Sequence, residues 1–269
     1  MTILVTGATG NIGRRIVDHL IDMGANDIRA LTTDPEKANL PDGVVPVIGY
    51  LGSPESLSAA LAGVDRMYLA PLPRTLDATL ELAKAADVSY IVALSGVGYW
   101  QPHADAIAAS GIDNTQLGPG EFLENLAMWA DQIKTTATVR DPYPAAVEAP
   151  ISMEDIARVA AALLMTPEQS HHGRMYEITG PESLSRAQIA GQIGVGIGVD
   201  ITFEQCSRDA AIEALRPAMG AEAEWYLDTV AGAVDKPQQA NQLVNELTGV
   251  PAQSVAQWAR QNAALFGVT

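Results

Sequence analysis

The chain has 269 residues, 48% hydrophobic and 18% charged, a balance that gives an ordinary globular protein a substantial core and leaves no run long enough to span a membrane. With 32 acidic against 16 basic side chains the formal charge is −16, which repels phosphate backbones and anionic lipid, so neither nucleic acid nor a membrane is an expected partner. The lone cysteine, Cys206, and an N-terminus that enters a strand without a basic, apolar leader fit a cytoplasmic protein.

In chain order, Ile3, Leu4 and Val5 form a β-rich run, and Ile12, Ile16, Val17, Leu20 and Ile21 keep helical spacing from about Asn11 onward. Between them stand Gly7, Gly10 and Gly13. Glycines so placed let the chain turn sharply, let a pyrophosphate approach the main chain and let helix pack closely on strand. The helix N-terminus then offers free N–H groups and a positive dipole end to the phosphate. The spacing therefore predicts a dinucleotide-binding turn.

Asn26–Thr33 reads as the second strand, followed by Asp34-Pro35 as the cap and first position of a helix. An acid holding the adenosine ribose is expected about twenty residues past such glycines. Thr32 and Thr33 stand there instead, with Lys37 and Arg29 nearby, which favours NADP (NADPH) over NAD. Val44–Ile48 is a third strand, Ser53-Pro54 opens a helix, Asp65–Pro71 is a fourth strand, Thr75–Ala86 a helix and Val88–Ser95 a fifth strand. The alternation indicates an α/β protein: a Rossmann-type, doubly wound parallel sheet with ligands at the carboxyl ends of its strands. Residues 1–150 are expected to form the dinucleotide-binding domain. Residues 151–269 then form a smaller, mostly helical substrate or cap region, interleaved with the first as one structural unit.

The run TGATGNIG, then IRALTTDPEKA, SPESLSAALAGVDRMYLAP, LGPGEFLENL and PISMEDIARVAAALL together resemble the NmrA-like branch of the atypical short-chain dehydrogenases/reductases, in register from Met1 to about residue 205. That branch contains NADPH-dependent quinone and triphenylmethane reductases and also non-catalytic dinucleotide-sensing regulators. The resemblance implies a phosphate loop of Gly7, Thr9, Gly10, Asn11, Ile12 and Gly13. It places Ala70 and Pro71 beside the adenosine and ribose, and Ser95 and Gly96 at the floor of the nicotinamide pocket. It also implies that the helical C-terminal region closes over the substrate. The departures are instructive. Thr33 stands where many relatives carry an arginine for the 2′-phosphate, Gly49-Tyr50 replaces Gly-Asp, the loop after Ser95 is short, and Gly118 replaces a common arginine.

The wider superfamily uses a tyrosine with a lysine four residues on. Here Tyr99 is followed by His103, so the standard pair is absent. His103 matches a histidine frequent in the family, and an imidazole titrates near neutrality, which makes His103, with Tyr99, the candidate proton donor; the alternative is a histidine that only binds main chain or water. Tyr99 and Trp100 also put apolar area near the nicotinamide, as pocket wall or as core packing. Pro119, Glu121 and Phe122 of LGPGEF are expected to line the substrate pocket, with Phe122, Leu123, Leu126 and Trp129 on the helix that follows.

Ser152 introduces a helix over Met153–Met165, His171-His172 reads as a turn before a strand over Met175–Thr179, and no metal set is completed. Ser185 starts another helix, Val199–Phe203 is a short strand, Arg208–Val234 supplies Ala211, Leu215, Met219, Trp225, Tyr226 and Leu227 to a core, and Ala252–Phe266 is a tail helix. The functional expectation is an NAD(P)H-dependent reductase of a small conjugated or aromatic carbonyl, imine or quinone-like compound. The alternatives are a silent dinucleotide sensor or a non-redox enzyme on the same fold, and a homodimer is among the assemblies open to it.

Overall fold

The computed structural model describes residues 1–166 and 169–268. In chain order it contains β1 (Ile3–Val5), α1 (Asn11–Asp22), β2 (Ile28–Thr32), β3 (Val44–Ile48), α2 (Ser58–Leu61), β4 (Arg66–Leu69), α3 (Leu76–Ala85), β5 (Tyr90–Leu94), α4 (Gln101–Ala109), β6 (Asp113–Leu117), α5 (Ala130–Thr136), β7 (Thr138–Asp141), β8 (Val147–Glu148) and α6 (Met153–Met165). Then come β9 (Arg174–Tyr176), β10 (Leu184–Ser185), α7 (Arg186–Ile197), β11 (Thr202–Gln205), α8 (Arg208–Met219), α9 (Glu222–Asp235), α10 (Leu243–Thr248) and α11 (Val255–Gln261). Short 3-10 turns occur among them, including Gly98–Trp100 and Leu123–Trp129. No described helix is long and apolar enough to cross a membrane.

The chain forms two compact units interleaved in sequence. The first comprises residues 1–119, 153–178 and 246–249, and the second 120–152, 179–245 and 250–269. Residues 120–150, counted with the dinucleotide domain on sequence, lie in the second unit.

The first unit is built on a parallel seven-stranded sheet in the order β3-β2-β1-β4-β5-β6-β9. Both faces are covered, so β1 and β5 read as continuous apolar runs with every residue buried. Leu4, Leu31, Met67, Leu69, Ile91 and Ala93 pack with Leu57, Leu61, Leu76, Leu80 and Ile107 from the helical segments on one side. Across the sheet, α1 lies against α6. The strand β6 went unrecognised in the sequence because its residues are polar, yet Asn114, Thr115 and Gln116 are buried. Asn114 donates to the Ile112 carbonyl, Thr115 receives the Tyr90 hydroxyl and donates to the His171 carbonyl, and Gln116 donates through Nε2 to the Ala104 carbonyl while its buried Oε1 has no hydrogen-bond partner among the described residues.

The second unit has its own core around Leu126, Trp129, Ile133, Ile189, Ile193, Leu215, Tyr226, Leu227 and Trp258. Two small sheets frame it, β7 parallel with β11 and β8 antiparallel with β10. Ser185 caps α7 in a reciprocal box with Gln188, as its spacing suggests.

Several expected elements differ. No helix follows Asp34; the residues to Lys37 form a turn in which the Asp34 carboxylate, not a helix, takes the Lys37 N–H. Ser53 opens a 3-10 turn (Pro54–Ser56) without a side-chain cap, and the α-helix after it spans only four residues. The helix expected after Glu121 is the 3-10 turn Leu123–Trp129 leading into α5. The strand expected over Val199–Phe203 is β11, and Arg208–Val234 is two helices parted at Gly220, whose φ of 60° ends the first. Trp225, expected inside, is 53% exposed, because Tyr226 occupies the buried position of its helical turn.

Candidate functional site

The turn between β1 and α1 has the backbone that its glycines permit. Gly7 adopts φ 60°, and a Cβ there would come within 3.2 Å of the Ala70 Cβ. Gly10, Thr9 and Asn11 are exposed, whereas Gly13 is buried. A Cβ on Gly13 would sit 2.1 Å from the Gly7 carbonyl oxygen, so only glycine allows α1 to start so close to β1. Gly10 is the N-cap of α1, and no side chain caps the helix, which leaves its first N–H groups available to an anion. Ile12 is half-buried behind the turn. Thr6, at the end of β1, bridges to β4: its hydroxyl donates to the Tyr68 carbonyl (2.9 Å) and accepts the Ala70 N–H (2.8 Å), fixing Ala70 and Pro71 beside the glycine turn.

At the end of β2 the Thr32 hydroxyl is used locally, accepting the Asp34 N–H at 3.2 Å, while Thr33 is exposed. Lys37 is 86% exposed at its side chain and ion-pairs with Asp34 at 2.8 Å, which lowers the Asp34 carboxyl below its ordinary range. Arg29 turns away and donates to the Ala62 carbonyl at 2.6 Å; the cation that reaches this loop from α1 is Arg14, which donates to the Asn39 carbonyl at 2.5 Å. These surroundings fit a dinucleotide: a glycine cradle that a Cβ would fill, uncapped helical N–H groups, and cations at the ribose end.

At the carboxyl end of β5, Ser95 is buried and its N–H binds the Leu117 carbonyl at 2.8 Å, tying it to the end of β6. Its hydroxyl lies 3.2 Å from His103 Nδ1, on the first turn of α4. His103 is 4% exposed, and burial lowers its pKa below the ordinary imidazole value. Its Nε2 is buried and has no hydrogen-bond partner among the described residues. The ring is thus held against Ser95 on one side, with Trp100 edge-on to it. Tyr99 is 79% exposed on the 3-10 turn before α4, edge-on to Trp100, which is edge-on to His103. Gly96 and Gly118 adjoin, since a Cβ on Gly118 would lie 3.2 Å from the Gly96 Cα. Gly118 and Pro119 thus continue β6 beside the Ser95 turn.

His171 and His172 are structural. His171 Nδ1 meets the Tyr176 hydroxyl at 2.8 Å, and His172 stacks on Tyr90 and pairs with Asp113. No cluster of metal-ligating side chains occurs among the described residues.

The second unit holds a polar network that sequence reasoning missed, apart from Glu121. Arg186, fully buried, donates through Nε to Asp141 (2.8 Å) and through Nη1 to Glu148 (3.0 Å) and the Tyr226 hydroxyl (3.0 Å), with its guanidinium stacked on Trp129. The Tyr226 hydroxyl in turn donates to Glu121 Oε1 at 3.0 Å. Burial, then the charge of Glu148, pushes the Glu121 carboxyl up to about 7, against the pull of Arg186, Tyr226 and Asn125. Burial also raises Glu148, despite Arg186. Glu121 and Phe122 are half-buried. Nothing in the spacing of Asp141, Glu148 and Arg186 announces that they meet.

Comparison with known proteins agrees with this geometry. A family model described as NAD(P)H-binding matches residues 7–105. The chain is 32% identical to the (4-alkanoyl-5-oxo-2,5-dihydrofuran-3-yl)methyl phosphate reductase of Streptomyces griseus, over 98% of this chain and 99% of the relative. It is also 32% identical to the NAD(P)H azoreductase of Xenophilus azovorans, again over 98% and 99%. Its fold superimposes on the NADPH-dependent quinone oxidoreductase of Escherichia coli complexed with NADPH (TM-score 0.86, 23% identity, 97% of this chain and 100% of the other). It likewise matches the Citrobacter sp. triphenylmethane reductase complexed with NADP(H) (TM-score 0.85, 19% identity, 98% and 100%). The glycine turn, the parallel sheet and these relatives together make the chain a member of the NmrA-like, NAD(P)H-binding family of atypical short-chain dehydrogenases/reductases, and an NAD(P)H-dependent oxidoreductase.

Proposed function

We propose that the protein reduces a small conjugated or aromatic carbonyl, imine or quinone-like compound in the cytoplasm, with NADPH preferred to NADH. The observation that carries this reading is the grouping at the carboxyl end of β5: a buried Ser95–His103 pair beside the exposed Tyr99 and the Trp100 ring. A dinucleotide held along residues 7–13, with Ala70 and Pro71 beside its ribose, supplies hydride, and the protein's part is orientation and exclusion of water. Ser95, fixed through its N–H to Leu117 and through its hydroxyl to His103, supplies a rigid polar contact at the nicotinamide floor with Gly96. Tyr99 and Trp100 supply apolar wall for a flat substrate. Pro119, Glu121 and Phe122 belong to the substrate-facing set.

The NADPH preference is supported by the absence of a carboxylate at Thr32 and Thr33 and by neutralisation of Asp34 through Lys37. Two structural relatives, the Escherichia coli quinone oxidoreductase and the Citrobacter sp. triphenylmethane reductase, form complexes with NADPH and NADP(H). Calorimetry with NADPH and NADH, followed by absorbance at the nicotinamide band with quinones, azo dyes, aldehydes and imines, tests the reading. Tight NADPH binding with turnover on members of that panel is expected. Binding without any turnover would replace it with a silent sensor.

A further inference from the structure

Tyr50 stands at the carboxyl edge of the first unit's sheet, and the hydride chemistry gives it no task. The strands β3, β2, β1 and β4 are neighbours and run parallel, so their carboxyl ends lie along one edge. The winding reverses between β1 and β4, where Gly7 meets Ala70. A dinucleotide lies across such a reversal, with its adenosine half over the strands on one side, here β1, β2 and β3. Tyr50 follows β3 by two residues, and Gly49 ties it to the end of β2 by donating its N–H to the Thr32 carbonyl at 3.0 Å. Two strand spacings, about 10 Å, separate the end of β3 from that of β1. Tyr50 is therefore on the adenosine side of the glycine turn, beyond the ribose position at Thr32 and Thr33.

The ring is held from several directions. The Tyr50 N–H donates to the Ser56 hydroxyl and the Tyr50 carbonyl accepts the Ser53 N–H, both at 2.9 Å. Arg74, on the 3-10 turn Pro73–Thr75 that follows β4, donates through Nη2 to the phenol oxygen at 3.1 Å. A Cβ on Gly52 would run into Tyr50 Cε1 and come within 2.7 Å of both Tyr50 Cζ and Arg74 Nη2, so phenol and guanidinium close over that glycine. Despite these ties Tyr50 is 47% exposed. An aromatic surface that is fixed and half open loses little entropy when a flat partner covers it.

We propose that Tyr50 is the base-recognition residue of this protein: the adenine of the cofactor stacks on the phenol ring, which Arg74 and Gly52 hold in place as positioning residues. This rests on the dinucleotide reading above and deepens its adenosine end. Stacking engages a π face that every purine has. A carboxylate at the same position, as in the Gly-Asp that Gly49-Tyr50 replaces, would instead accept a hydrogen bond from the exocyclic amine. The protein therefore selects its cofactor by the area of the base and not by its amine, and hypoxanthine, which carries a carbonyl in place of that amine, is accepted in adenine's stead.

The test is calorimetry on the full chain with NADPH and with its hypoxanthine analogue. The wild type should bind the two within about threefold of each other, and Tyr50→Ala should weaken both on the order of tenfold. Tyr50→Phe keeps the ring and should bind NADPH much as the wild type does. Gly52→Ala, which pushes the ring aside without removing it, should weaken binding in the same sense as Tyr50→Ala. Tyr50→Asp should create a preference for NADPH over the analogue on the order of tenfold, because a carboxylate faces an amine in one and a carbonyl in the other. Proton NMR supplies a signature of stacking: the adenine H2 and H8 signals of bound NADP should lie upfield in the wild type and lose that shift in Tyr50→Leu. Arg74→Ala should weaken NADPH and NADH alike; a loss confined to NADPH would make Arg74 a ligand of the 2′-phosphate and overturn its positioning role. Unchanged NADPH affinity in Tyr50→Ala, or strong wild-type discrimination against the hypoxanthine analogue, would overturn the proposal while leaving cofactor binding intact. No wild-type binding of either nucleotide would overturn both.

Discussion

Ser95 and His103 illustrate how single side chains acquire a role from what surrounds them. Both are buried, and their one shared contact is 3.2 Å long. If His103 acts by orienting Ser95, the two function as a unit, and their losses do not add. Ser95→Ala and His103→Ala should each lower kcat/KM by about tenfold, the loss of roughly one hydrogen bond's worth of orientation. The double variant should be little worse than either; a hundredfold loss in it would mean independent roles. These residues were legible in the sequence because β5 ends in a recognisable apolar-to-glycine change. Burial of the imidazole was not, since it follows from α4 packing on β6, a strand whose polar composition concealed it. Glu121 shows the converse. Its place in LGPGEF was marked, but its proton affinity depends on Glu148, Arg186 and Tyr226, brought to it from far along the chain.

Among the elements, those with sharp local signals were read well: β1, α1 and their glycines, the buried β5, α6, and α7 with its capping box. The box should have a measurable energetic effect. Ser185 accepts the Gln188 N–H while the Gln188 side chain accepts the Ser185 N–H. Ser185→Ala should therefore lower stability by about 1 kcal/mol, read as a shift of the urea midpoint without change in slope. Glycine in its place should cost only a few tenths of that. The elements that were misread are short ones in which no periodicity can be established. The 3-10 turn Leu123–Trp129 buries Leu123, Leu126, Met128 and Trp129, a pattern that an α-helical reading of the same residues approximates without matching. The turn after Asp34 was mistaken for a helix because the Asp-Pro signal serves both. There the Lys37 bond to Asp34 decides.

For the molecule as a whole, pH and stability are linked through the same buried charges. Glu121 has a folded pKa of about 7 against an ordinary 4.5, so between these values the folded chain binds more protons than the unfolded one. Its contribution is fully present below 4.5 and is lost as pH rises through about 7. Urea midpoints measured from pH 5 to pH 8 should therefore fall, and Glu121→Gln should flatten the decline. Below that window the sign reverses for Glu154, whose pKa is lowered chiefly by His19; that pair supports α1 against α6 and weakens on acidification. A decline left unchanged in Glu121→Gln would assign the effect to other groups.

The interleaving of the two units has a consequence for anyone who would divide the protein. The chain passes from one unit to the other after residues 119, 152, 178, 245 and 249. A gene fragment ending at residue 150 would encode the nucleotide turn yet lack β9, the edge of its sheet, and α6, the helix that covers α1. Neither unit is therefore a contiguous segment of the chain. Split-gene complementation should restore soluble protein only when both pieces are made together.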